Sequence, residues 1–246
     1  MYFIANQRLP RRHVCGCISS LVVVALIGGG LIFLLGRAHN GVSISVGVQP
    51  TVIIHDCNQA IMVRAGQANQ VVLSGIFPQY AQDTATDTIE MGDCGSVGGL
   101  GGVTLTVPPH TNLQLDVNDS ITVFDVSGQM NLSVNGSRIT LINVGLEGQS
   151  KIDDNGGVIT FIGNLAQGSN STISGNSGTI DMTLPASAAF HLTTSGILGQ
   201  VISNVPQVQA SPGAGGQLDL DIGHANSGVA LLLDLNDTAL ILRKGQ

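Results

Sequence analysis

Aromatic and charged residues are both scarce in this sequence. The chain has no tryptophan, two tyrosines and six phenylalanines, so aromatic residues make up 3% of its 246 positions. Charged residues make up 10%, against about 25% in an average soluble domain. Apolar residues reach 43% and glycine occurs 33 times. The apolar content excludes a wholly disordered chain, and the whole composition is typical of an all-β protein with many tight turns.

Basic residues are too few to form a nucleic-acid-binding surface. From position 41 onward, five basic residues stand against 16 acidic ones, a net charge of −11. Between positions 65 and 242 the basic residues are Arg138 and Lys151 alone. Binding to nucleic acid requires a stripe of basic side chains that displaces counterions from the phosphates. The sequence therefore excludes DNA and RNA as partners.

The sequence also lacks the motifs of several enzyme classes. It contains no G-x-x-x-x-G-K-[ST] loop, no G-x-S-x-G turn and no H-E-x-x-H pair. These absences argue against nucleotide enzymes, serine hydrolases and zinc proteases. We therefore predict no cofactor, no metal and no catalytic residues.

One segment near the N-terminus is apolar and uncharged. It runs over 19 residues from Cys17 to Leu35, which as a helix would extend about 28 Å, close to the thickness of a bilayer core. Three arginines precede it and one follows it. The positive-inside rule then predicts a cytoplasmic tail at 1–16, a transmembrane signal anchor at 17–36 and an extracytoplasmic domain at 41–246. The alternative is a signal peptide cleaved after Ala38, with Gly36 at position −3.

Two of the four cysteines follow the apolar segment. Cys57 and Cys94 would lie in an oxidising compartment under either interpretation, so we predict a disulfide between them. The alternative is a Cys/His metal site that includes His55, although no C-x-x-C spacing supports it.

The middle of the chain is repetitive. Four short apolar segments begin at Ile121, Ile139, Ile159 and Ile180, at spacings of 18, 20 and 21 residues. A period near 20 residues is typical of a solenoid, in which each unit buries its apolar face against the next. The sequence predicts a parallel β-solenoid with coils of about 20 residues, and we expect Phe124 and Phe161 to point into its core. A β-sandwich with accidental spacing is the alternative.

Several segments together resemble a known family. They are the strand Val103–Pro109, the repeats, and the stretches Ser177–Pro185 (SGTIDMTLP) and Ala189–Gly196 (AFHLTTSG). The family is the putative-adhesin domain of bacterial envelope proteins, and the resemblance covers about positions 41–246. It implies a right-handed β-solenoid fold. It implies no activity, because the family is of largely unknown function.

Three groups of polar residues are candidate sites. Asp153, Asp154 and Asp181 would be the carboxylates of a polysaccharide-cleaving enzyme, which needs two such groups about 5–10 Å apart. Asp219 and Asp221 alternate on one predicted strand and would be calcium ligands. Several asparagines fit the glycosylation pattern N-x-S/T, which we interpret as chance in a chain rich in these residues: Asn118, Asn131, Asn135, Asn170 and Asn236.

These observations predict a non-catalytic, adhesin-like interaction protein of the cell envelope. Its partners would be the membrane, through the single-pass anchor, and an envelope glycan or protein, through a polar Thr/Ser/Asn face. The alternatives are a sensor subunit that acts through a membrane partner and a polysaccharide-processing enzyme.

Overall fold

The computed structural model describes residues 23–24, 31–34, 41–75, 79–92, 102–209, 217–223 and 228–245. Within these ranges the chain forms strands and a single helical turn. The first eleven strands are β1 Val23–Val24, β2 Leu31–Leu34, β3 Val42–Ser45, β4 Thr51–Cys57, β5 Ile61–Ala65, β6 Gln70–Ser74, β7 Tyr80–Asp83, β8 Thr88–Gly92, β9 Val103–Val107, β10 Asn112–Val117 and β11 Ser120–Phe124. The remaining elements are β12 Ser127–Gly128, β13 Met130–Val134, β14 Arg138–Leu146, β15 Lys151–Asn155, β16 Val158–Leu165, β17 Asn170–Asn176, β18 Thr179–Leu184, β19 Phe190–Ser203, α1 Pro206–Gln209, β20 Asp219–Ile222 and β21 Ala230–Lys244.

The strands stack into two long ladders. The first ladder has the order β1-β2-β7-β8-β4-β10-β13-β15-β17-β21-β19-β20. The second ladder has the order β3-β6-β9-β5-β11-β14-β16-β18-β21-β19. The long strands β19 and β21 contribute their first halves to the first ladder and their second halves to the second. A short third ladder joins β12 to the final residues of β14 and β16.

Alternating side chains build one core between the two long ladders. In β18 every second residue is buried, so Ile180, Met182 and Leu184 face inward. The four predicted repeat segments stack in register, since Ile121 pairs with Ile139, Ile139 with Ile159, and Ile159 with Ile180. The inward residues of both ladders belong to a single apolar cluster. The outward residues of the two ladders therefore point away from each other.

The predicted fold class needs two corrections. The all-β prediction is right, but the sheet is mixed. Antiparallel strands form both ends of the first ladder and one end of the second. The chain also stacks out of sequence order, because β21 inserts between the pair β17 and β18 on one side and β19 on the other. A wholly parallel solenoid wound in sequence order is therefore wrong.

The predicted transmembrane helix at 17–36 is also wrong. Leu31–Leu34 is a strand that pairs antiparallel with Tyr80–Asp83, and Val23–Val24 pairs with it in turn. Among the described residues, no helix is long and apolar enough to cross a membrane. Val, Ile and Phe favour strands, and the same apolar run supports either structure. The single-pass localisation with a cytoplasmic N-terminus, which rested on this helix, is corrected with it. The predicted tail at 1–16 and the alternative cleavage site at Ala38 lie outside the described residues.

Phe161 is fully buried, as predicted, but Phe124 is not part of the core. Val123 occupies the inward position of β11, and the period of two in a strand places the next residue on the outer face. Phe124 pairs in register with Ile142, which is also outward.

Candidate functional site

The predicted disulfide is only partly within the described structure. Cys57 ends β4, is fully buried and is disulfide-bonded. Cys94 and the other two cysteines lie outside the described residues, so the pairing of Cys57 with Cys94 stays a prediction. His55 Nε2 lies 3.8 Å from Glu90 Oε1. No cluster of three potential metal ligands occurs in the described ranges, so nothing there supports the alternative Cys/His site.

The three candidate catalytic carboxylates are not brought together. Asp153 faces outward on the first ladder, where its Oδ2 lies 3.8 Å from Lys151 Nζ. Asp181 faces outward on the second ladder and forms an ion pair with Arg243. Asp154 is buried, with 2% of its surface exposed. Because these side chains point in three directions, they do not form the facing pair that glycoside cleavage needs.

Asp154 occupies an inward position in a column of the core. Its register neighbours are Val134 and Gly175, so a carboxylate stands where the flanking strands carry small or apolar residues. The backbone amides of Gly136, Ser137 and Gly157 face the carboxylate, but none makes a hydrogen bond of ordinary geometry with it. Burial is the main effect and raises the pKa of Asp154, while these amides act to lower it.

Asp219 and Asp221 lie on the same side of β20, as predicted, but they hold a histidine. His191 Nδ1 is 2.9 Å from Asp221 Oδ1, and its Nε2 is 3.1 Å from Asp219 Oδ1. The imidazole lies between the two carboxylates, so they do not converge on a shared cation position. The hydrogen bond that His191 donates to Asp221 is the main cause that raises the pKa of His191, and the charges of Asp219 and Asp221 add to it.

Several asparagines of the N-x-S/T pattern form a structural column. Asn155 Nδ2 donates to Asn135 Oδ1 at 3.3 Å, Asn176 Nδ2 to Asn155 Oδ1 at 2.8 Å, and Asn236 Nδ2 to Asn176 Oδ1 at 2.9 Å. Further along the same ladder, Asn118 Nδ2 donates to Asn58 Oδ1 at 2.8 Å. These six residues, which we call the asparagine column, each stand at the turn from the first ladder to the second. Three of the asparagines that fit the N-x-S/T pattern, Asn118, Asn135 and Asn236, thus have a structural role.

The concave surface that best suits a ligand runs along the corner between the second and third ladders. This corner groove has a volume of about 350 Å³. It crosses β12, β14, β16 and the end of β18, so it extends about 14 Å at one strand spacing per step. Its lining residues are Ser127, Asn143, Val144, Gly145, Ile162, Gly163, Asn164, Thr183, Leu184, Pro185 and Gly245.

The lining of the corner groove is polar but uncharged. Asn143 Nδ2 donates to Asp125 Oδ1 at 3.0 Å, which orients its amide and leaves its oxygen without a partner among the described residues. The side chain of Asn164 makes no hydrogen bond to another described residue, and the residue is exposed. Ile162 adds an apolar surface that is 41% exposed. An amide offers both donors and an acceptor, so this lining suits a ligand rich in hydroxyl groups.

Gly145 keeps the groove open. A Cβ atom at this position would lie 2.5 Å from Ser127 Oγ and 2.9 Å from Asn164 Oδ1. Any side chain there would fill the space between the two polar groups.

A second groove lies on the outer face of the first ladder. It has a volume of about 310 Å³ and is lined by His55, Gln114, Leu115, Asp116, Asn131, Leu132, Ser133, Lys151 and Asp153. Charges of both signs line it, and Lys151 already lies near Asp153. It is therefore less suited than the corner groove to a neutral ligand.

Sequence reasoning missed the residues of the corner groove. Asn143 and Asn164 lie one and two residues after the outward positions Ile142 and Ile162, and Thr183 stands at the same register position on β18. Polar residues recurring just after an alternating strand were therefore the available signal.

Comparison with known proteins identifies no family. No protein-family model matches the chain, and no curated protein matches it. A solved structure, that of a putative cell adhesion protein from Clostridium sporogenes, is similar with a TM-score of 0.42 and 11% identity, over 84% of this chain and 99% of that one. It is a distant structural neighbour, and a similarity at this level carries no argument about function.

Proposed function

We propose that the protein is a non-catalytic, adhesin-like binding protein whose corner groove takes an uncharged oligosaccharide. The observation that carries the proposal is the lining of this groove by Asn143, Asn164, Ser127 and Thr183, with no charged side chain among its residues. Neutral sugars offer hydroxyl groups that both donate and accept hydrogen bonds, which matches amide and hydroxyl side chains.

The shape of the groove supports an extended ligand. It is open along its length and crosses four successive strands, so a short chain of sugars can lie along it. Its floor belongs to strands that pair in parallel with one another, which gives the binding groups a rigid support. The exposed side chain of Ile162 can pack against the apolar face of a sugar ring.

A binding role fits this lining better than catalysis does. The groove contains no carboxylate and no imidazole for general acid–base chemistry. The alternative of a sensor subunit depended on the membrane helix, so it is not retained.

The experiment is a binding titration of the full chain against a panel of neutral and charged oligosaccharides. We expect saturable binding of a neutral member. Asn164→Ala removes about 1 kcal/mol of hydrogen bonding and should weaken that binding about fivefold. Gly145→Ala should weaken it further by filling the floor of the groove.

The matched control is Asn131→Ala, which removes the same side chain from the groove on the first ladder. It should leave binding unchanged. Loss of binding in this variant but not in Asn164→Ala would place the ligand in the other groove. Binding of charged oligosaccharides alone would also contradict the proposal.

A further inference from the structure

Charged side chains are sorted between the outer faces of the two long ladders. The outer face of the second ladder carries Arg64, Arg138 and Arg243 against one acidic residue, Asp181, a net charge of +2. The outer face of the first ladder carries one basic residue, Lys151, and eight acidic residues: Asp56, Asp83, Glu90, Asp116, Asp153, Asp219, Asp221 and Asp234. That face therefore has a net charge of −7, one positive against eight negative.

The basic face has free charges and an apolar strip. Arg64 donates from Nε to Thr106 Oγ1 at 3.2 Å, a neutral partner, and Arg138 forms no ion pair with another described residue. In register along this face stand Arg64, Phe124, Ile142, Ile162, Thr183 and Arg243. Two arginines thus bracket three apolar side chains over about 24 Å, which is five strand spacings.

The acidic face carries aspartates at regular intervals along the stack. Asp116, Ser133, Asp153, Ser174 and Asp234 stand in register on successive strands, so the three aspartates are spaced about 10 Å apart. On the basic face Arg64 and Arg138 stand two strands apart, which is the same step of about 10 Å along the stack. When one face is laid against the other, these two arginines can therefore stand level with two of the aspartates.

From this complementarity we infer that a second copy of this chain docks its basic face on the acidic face of the first. The two faces point away from each other, so a molecule that uses one face for a neighbour still offers the other. Such a heterologous contact does not close and repeats from molecule to molecule. The chain therefore assembles side by side into an open row of molecules. This inference does not depend on the proposed carbohydrate binding.

The test is sedimentation velocity of the full chain at a series of concentrations. At about 0.1 M salt the Debye length is about 10 Å, so facing charges attract while the net charge of the whole chain is largely screened. We expect the mass to rise steadily with concentration and to return to that of the monomer at about 1 M salt. A single mass at all concentrations and both salt levels would overturn the inference.

Charge reversal gives a sharper test. One variant carries Arg64→Glu and Arg138→Glu, which makes both faces acidic. A second variant carries Asp116→Lys and Asp234→Lys, which reduces the acidic face by four charges. Each variant alone should associate at least about tenfold more weakly than the natural chain. An equimolar mixture should recover association as one-to-one pairs, because the first variant keeps the natural acidic face and the second keeps the natural basic face.

The mixture also controls for folding, since misfolded variants would not restore a specific contact. Association that is unchanged by either reversal would overturn the inference, as would failure of the mixture to recover. Binding of a soluble polyanion by the monomeric natural chain, lost in the arginine variant, would identify an anionic partner in place of a second copy.

Discussion

Asn176 donates a hydrogen bond from Nδ2 to Oδ1 of Asn155, at 2.8 Å, across two neighbouring strands of the first ladder. The same amide accepts at its Oδ1 from Asn236, so Asn176 passes a hydrogen bond along the stack, and Asn155 does the same. Stacked asparagines satisfy one another where the turns carry few backbone pairings, and such ladders stabilise repetitive sheets.

Replacing Asn176 with alanine should therefore break two side-chain hydrogen bonds at once. We expect a loss of about 1–2 kcal/mol in the free energy of unfolding, measured by urea denaturation. Asn131→Ala serves as the control because the side chain of Asn131 makes no hydrogen bond within the described residues. This substitution should change the free energy of unfolding by no more than about 0.5 kcal/mol. Equal losses in the two variants would show that the column adds nothing to stability.

Burial raises the pKa of Asp154, so the folded state binds the proton of this carboxyl more tightly than the unfolded state does. The contribution of this group to stability is thus complete below its unfolded value of 3.8 and is lost as the pH rises through the raised pKa. Asp154→Asn should remove this loss of stability with rising pH. At pH 7 it should raise the melting temperature by about 2–4 °C, the effect of about 1 kcal/mol in a chain of this size.

The control is Asp153→Asn on the same strand, where the side chain faces solvent. Its melting temperature should stay close to that of the natural chain. If Asp154→Asn is less stable than the natural chain at pH 7, the amides of Gly136, Ser137 and Gly157 outweigh burial.

His191 should titrate above its ordinary pKa of 6.5, because Asp221 holds its imidazolium by a hydrogen bond. Its stabilising contribution is complete below pH 6.5 and is lost as the pH rises through the raised pKa. NMR titration of the imidazole should show the raised pKa in the natural chain and a lower one in Asp221→Asn. Asp219→Asn should lower it less, since Asp219 contributes through charge alone. An unchanged value in both variants would mean that β20 does not hold His191 in solution.

The last strand of the chain should be among its most protected. β21 pairs on both edges, and Leu233, Leu235 and Leu240 are fully buried in it. Hydrogen exchange should therefore be slower for its amides than for those of the edge strand β20. Leu233→Ala should cost about 2–5 kcal/mol of stability, measured by denaturation. Fast exchange throughout β21 would contradict the observed stacking order.

Peptide mapping without reduction should find Cys57 linked to Cys94. A disulfide that closes the intervening loop stabilises the fold by about 4 kcal/mol on loop-entropy grounds, so reduction should lower the melting temperature markedly. A link from Cys57 to Cys15 or Cys17 would overturn this pairing.

Local pattern was sufficient for the middle of the fold. The period of two and the recurrence near 20 residues identified the strands at Ile121, Ile139, Ile159 and Ile180, which stack as neighbours. Both signals arise because buried positions are apolar, and this pattern is visible in the local sequence. The local sequence does not show which strand pairs with which. Apolar and polar residues alternate around Leu231 and Leu240 as they do in the other strands. This alternation does not reveal that β21 inserts between β18 and β19.

The N-terminal segment shows a second feature that the local sequence does not determine. Leu31–Leu34 is apolar on every residue, and such a run suits a helix in a membrane or a strand in a sheet. The corner groove shows a third. Asn143 and Asn164 come from different strands, and only the register of β14 with β16 brings them to one groove.

The insertion of β21 also bears on how the chain is made. A ribosome releases β17 and β18 first, then β19 and β20, and only afterwards β21, which stands between them. Until β21 emerges, β17 and β18 lack their neighbour on that side, and β19 has no partner beyond the four residues that pair with β20. Domains fold from the N-terminus as synthesis proceeds, but this part of the stack closes only after β21 has been made. A nascent chain that stalls before β21 would leave an apolar sheet edge exposed, which makes it a substrate for chaperones and proteases.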